Sequence, residues 1–144
     1  MEEPPQAGLK FHLFDVFKIL FERGTPNKGY VYNININNAL IVDEENPNLF
    51  QVFFHINIGS KDEDKPLNIQ VEAVGYFELT GDIPEDVVDN YKNISAPSIV
   101  YPYIRAFLSN LTLLSGLNPI NLPPINFVTK QTVDGNNEEL KGII

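Results

Sequence analysis

Along three stretches of this chain, apolar and polar residues alternate with a period of two; along a fourth, apolar positions also run together. Tyr30, Tyr32, Ile34 and Ile36 alternate with Val31, Asn33, Asn35 and Asn37, which predicts a strand with one buried face. Between Phe50 and Ile58, the residues Val52, Phe54, Ile56 and Ile58 share one face of a second such strand. A third follows from Leu67 to Leu79, where Leu67, Ile69, Val71, Ala73, Gly75, Phe77 and Leu79 alternate with Asn68, Gln70, Glu72 and Glu78. Leu9 to Phe21 mixes alternation with a doubly apolar stretch, the pattern expected of a strand buried on both faces. Charged turns at Asp43–Asn48 and Lys61–Pro66 link the last three strands as hairpins, while a Gly- and Pro-bearing loop, Arg23–Gly29, follows the first. Three hairpin-linked strands preceded by a strand and a longer crossover predict a Greek key, with the first strand beside the fourth.

The period then changes. Glu85 to Lys92 reads as a short helix, and Ile99 to Leu114 is too long for an ordinary strand. This second run is nearly free of charge, Arg105 being its one exception, so it reads as a buried helix. On a 3.6-residue period, Ile99, Tyr103, Phe107 and Leu114 share one side, and Val100, Ile104, Leu108 and Leu111 the adjacent one. Only Arg105, Ser109 and Thr112 make a narrow polar seam. So wide a stripe needs apolar cover on more than one flank, which predicts self-association through Tyr103, Phe107, Leu108 and Leu111. Gly116 ends the helix. Pro119, Pro123 and Pro124 then forbid helix from Asn118 to Phe127, leaving an extended, polyproline-like strip. The predicted fold class is α+β: a four-stranded antiparallel Greek-key sheet with a long C-terminal-half helix packed on one side. Residues 1–127 form a single domain, and 128–144 read as a polar, flexible tail.

Composition narrows the chemistry. The net charge of -9 repels phosphate backbones, so no nucleic acid is expected as partner. No stretch approaches the roughly 20 apolar residues of a membrane-spanning helix, and Met1-Glu2-Glu3-Pro4-Pro5 is too acidic for a signal peptide. These features predict a cytoplasmic protein with no stable membrane insertion. The absence of cysteine removes disulfides and thiolate metal sites. His12 and His55, the two histidines, fall on strands among apolar neighbours, and GxSxG, P-loop and HExxH motifs are all missing. Glu44-Glu45 and Asp62-Glu63-Asp64 lack the spacing of a calcium loop and read as solvated turns. No catalytic residue, metal or cofactor is therefore expected, and an enzyme would need a concave site built on His12 or His55. Six tyrosines and ten phenylalanines point instead to apolar binding, with Phe14, Val16, Phe17, Phe53 and Phe54 offering atoms to both sheet faces.

Pro102-Tyr103-Ile104-Arg105, then Asn121-Leu122 and Pro124-Ile125-Asn126-Phe127, resemble the signature of the SecB family of bacterial export chaperones. That family reads F-P-Y-A-R and, at the same spacing, N-L-A-P-V-N-F. Gly75-Tyr76-Phe77 and Phe11-His12-Leu13 are weaker echoes. The resemblance implies a holdase for unfolded polypeptides in protein export, assembled as a homotetramer that is a dimer of dimers. It implies a client groove at Pro119, Ile120, Leu122, Pro124, Ile125 and Phe127, to which Phe53 and Tyr76 are added. In the family, acidic residues on the outer sheet face dock the motor SecA. Here Gln70 and Lys18 stand at such positions, so docking to SecA is expected to be weak or absent. Two other readings stay open: a SecB-like chaperone dedicated to an antitoxin, and a non-catalytic oligomeric structural or assembly protein.

Overall fold

In a computed structural model, residues 7–24, 30–60, 66–128 and 138–143 are described. The alternating segments become β1 (Gly8–Arg23), β2 (Val31–Val42), β3 (Leu49–Ser60) and β4 (Leu67–Thr80). They pair antiparallel, and the sheet order β1-β4-β3-β2-β5 sets the first strand beside the fourth, as the Greek key requires. The Gly24 N–H donates to the Pro66 carbonyl (2.9 Å) and the Tyr30 hydroxyl to the Gly24 carbonyl (2.8 Å), which pins both ends of the crossover. Of the predicted tail, 129–137 lie outside the described residues. Within the rest, β5 (Glu138–Ile143) pairs antiparallel with β2 and adds a fifth strand to the sheet. Its Glu-, Lys- and Gly-containing sequence carries no alternation by which a strand could be foreseen.

The residues predicted to share a face do so. Ile34, Ile36, Val52, Phe54, Ile56, Ile58, Ile69, Val71 and Phe77 are buried on the inner face, under the helix. β1 departs from expectation, because none of its residues is buried. It is an edge strand: Phe11, Phe14, Val16 and Phe21 are half-buried against the core, while Leu13, Phe17 and Ile19 are about half exposed.

α1 (Glu85–Asn90) and α2 (Ala96–Leu114) are joined by a π-helical turn at Tyr91–Ser95, so the two predicted helices are continuous. Pro97 lies at the start of α2 and has no N–H for the preceding turn, and its ring crowds that turn's carbonyls. The widened turn lies where that ladder opens. Val100, Ile104 and Leu108 face the sheet and are fully buried. Gly75 lets α2 come this close, since a Cβ there would collide with Val100 Cγ2. Gly116, at φ +84°, closes the helix: Leu117 N–H donates to the Thr112 carbonyl and Gly116 N–H to Leu113, the bond pair of a Schellman cap. Among the described residues, no helix is long and apolar enough to cross a membrane.

Candidate functional site

The strip after Gly116 is held in place by the polar seam of α2. The Tyr101 hydroxyl donates to the Pro123 carbonyl (2.5 Å), and Arg105 Nε donates to the Leu122 carbonyl (2.9 Å). About two turns further along the same side, the Thr112 hydroxyl accepts from the Ile120 N–H (2.9 Å) and donates to the Leu108 carbonyl (2.8 Å). Pro119, Pro123 and Pro124 have no N–H to donate, and the helix meets two of the strip's carbonyls and the Ile120 N–H. Burial pushes the Tyr101 phenol up to about 12, partly countered by the neighbouring Arg105 charge. Phe127 closes the strip edge-on against Tyr101 and Phe54, with ring centroids 6.0 and 6.2 Å away.

This anchoring divides the predicted groove residues. Ile120, Leu122 and Phe127 are buried beneath the strip and fasten it, so they do not line an open wall. Pro119 and Pro124 are exposed and Ile125 is half-buried, so these three remain available. Phe53 and Tyr76 are not brought to them. They project from the opposite, outer face, because their neighbours Phe54 and Phe77 occupy the inner one. The predicted interface divides similarly. Leu108 is core, Phe107 and Leu111 are half-buried and pack against it, and Tyr103 lies on the open side of α2, 49% exposed beside Phe11 and Phe14.

The outer face has a second apolar surface. A cleft of about 580 Å³ at one end of the sheet is lined by Leu13, Ile41, Val42, Leu49, Phe50, Tyr76 and Phe77, with His12, Asp43 and Glu44 among its polar members. Leu13 is 54% exposed, Ile41 51% and Phe17 51%, Phe17 standing edge-on to Phe53. Sequence reasoning passed over Leu13 and Ile41. Ile41 lies beyond the predicted end of its strand, and shifts of register between Phe11 and Leu13 and between Val16 and Lys18 break strict alternation in β1. Polar contacts on this face include His12 with Glu78 at 3.0 Å, His55 with Glu72 at 3.3 Å, and Lys18 with Glu72 at 3.9 Å. Among the described residues, no three metal-ligating side chains converge. Both surfaces are equipped to hold apolar groups.

Comparison with known proteins gives this architecture its context. The family model for preprotein translocase subunit SecB matches residues 15–131. The chain belongs to the SecB family. An uncharacterized protein of Methanocaldococcus jannaschii is 32% identical over 88% of this chain and 84% of its own length. The protein-export protein SecB of Methylobacillus flagellatus is 27% identical over 76% of this chain and 66% of its own. That of Ruegeria is 29% identical over 67% and 60%, so the chain spans somewhat under two-thirds of such SecB relatives. Among solved structures, a SecB-like chaperone of Mycobacterium tuberculosis, in complex with an antitoxin peptide, shares the fold with a TM-score of 0.63. It is 18% identical, and the likeness covers 81% of this chain and 90% of that one. In SecB terms, the two halves of the signature at 102–105 and 121–127 are two sides of one contact, with Arg105 donating to Leu122.

Proposed function

We propose that this SecB-family chaperone is a holdase that binds unfolded polypeptide without catalysis, in the cytoplasm, as a homotetramer. The observation that carries this reading is the strip. Its prolines and its bonds to Tyr101, Arg105 and Thr112 hold an extended wall in place before any guest arrives, which lowers the ordering entropy of binding. Pro119, Pro124 and Ile125 offer contacts along it, and Phe53, Tyr76 and the outer cleft offer a second surface to a long client. Many weak apolar contacts hold varied sequences without demanding one of them. Non-native preproteins in export are the favoured clients.

The test is suppression of aggregation of a chemically unfolded protein, without nucleotide. Pro124→Ser with Ile125→Ser, and separately Leu13→Ser with Tyr76→Ser, alter exposed or half-buried positions and should leave the fold intact. Protection is expected to fall in at least one pair; full protection by both would remove these surfaces from the client site. A second reading, a chaperone dedicated to an antitoxin, is favoured by the fold shared with the mycobacterial chaperone–peptide complex. Binding to SecA should be weak, because Glu72 and Glu78 already face Lys18, His55 and His12. Tight, salt-sensitive titration with a SecA would overturn that expectation.

A further inference from the structure

The sequence of β2, VYNININNALIV, contains no charge, proline or glycine. Its register with β3 runs from Tyr32 to Val42 without a bulge. Charges, prolines and bulges are the features that keep a sheet edge from recruiting another strand through its row of N–H and C=O groups. The opposite edge has them: β1 carries Lys10, Asp15, Lys18, Glu22 and Arg23, and two shifts of register. The edge of β2 is instead covered by β5, paired from Val31↔Ile143 to Ile36↔Glu138. That cover is a poor strand by composition, since Glu138, Glu139, Lys141 and Gly142 are of types depleted in sheets. An adhesive edge thus lies under a weak, tethered cover.

We propose that the β2 edge is a strand-addition site for an extended segment of client polypeptide, and that β5 occupies it in competition with the client. The inference rests on the holdase reading and adds to it the kind of segment taken. Backbone hydrogen bonds do not read side chains, which suits a chaperone with varied clients. The segment must still out-compete β5, so it is uncharged and rich in Val, Ile, Thr, Tyr or Phe. Because β5 is tethered, its effective concentration is high, and segments with little strand propensity are turned away.

The probe is a fluorescently labelled, reduced and carboxymethylated protein, titrated with three forms of the chain. These are the full chain, a form ending before Glu138, and a form with Glu139→Val and Lys141→Val. Truncation should tighten binding about 3- to 10-fold, and the strengthened β5 should weaken it by a similar factor. Hydrogen exchange should show those β2 amides within 31–36 that point to β5 losing protection on truncation and regaining it with client, while those bonded to β3 stay protected. Equal binding by all three forms, without client-dependent protection of β2, would overturn the site while leaving the holdase reading intact. If no form binds the probe, both readings fall. Should the truncated form gain β2 protection and mass without client, the edge receives a second copy of the chain, and the proposal is wrong.

Discussion

Leu108 and Tyr101 show how one helix position differs from the next. Helical periodicity places Leu108 on the self-association surface, but it is fully buried against the sheet. Leu108→Ala should therefore cost about 2–5 kcal/mol of stability, measured by urea unfolding, with no specific change in assembly below the transition. Tyr101 titrates far from its ordinary value, at about 12 in the folded chain against 10. A raised pKa means the folded state keeps a proton that the unfolded state gives up. Its stabilisation is complete below pH 10 and is lost as pH rises through 12, by at most about 1.4 kcal/mol per pH unit. Alkaline denaturation followed by circular dichroism should show this slope, and Tyr101→Phe should flatten it between pH 10 and 12.

At the scale of elements, the strip and α2 form one unit. Thr112→Val keeps the side-chain volume but leaves the buried Ile120 N–H without its acceptor. The expected cost is about 1–3 kcal/mol, with faster amide exchange at Ile120 than elsewhere in the core. Unchanged exchange there would mean the strip is held by its apolar anchors alone. Much of this unit was legible in the sequence. The prolines predicted an extended strip, Gly116 predicted the helix end, and Arg105 and Thr112 were identified as a polar seam. What they bond to was not legible, because the Leu122 carbonyl that Arg105 meets and the Ile120 N–H that Thr112 accepts lie 17 and 8 residues away and are placed by the fold. The same blindness put Ile120, Leu122 and Phe127 in an open groove. An apolar residue on an extended strip looks the same in sequence whether it faces a guest or its own sheet.

For the whole molecule, the open apolar side of α2 meets the unburied edge strand β1. Tyr103 lies against Phe11 and Phe14, and Leu114 is 86% exposed. Tyr103→Asp with Leu114→Asp should lower the mass measured by light scattering at micromolar concentration, with unchanged circular dichroism, since these side chains are not in the core. An unaltered mass would remove this face from the assembly interface. Periodicity alone determined the three alternating strands and their inner faces, and turn positions the Greek-key order, because a period of two needs only local pattern; the mixed pattern of β1 gave a strand but not its burial. Motif spacing alone placed the chain beside the SecB family, since residues tied across one contact keep their distance in sequence. Only tertiary structure decided which apolar positions are consumed. Phe53 and Tyr76 went to the outer face, Leu108 to the core, β5 to the β2 edge, and β1 was left only half-covered. Burial depends on what packs against a residue from elsewhere in the chain, and a local pattern carries no record of that.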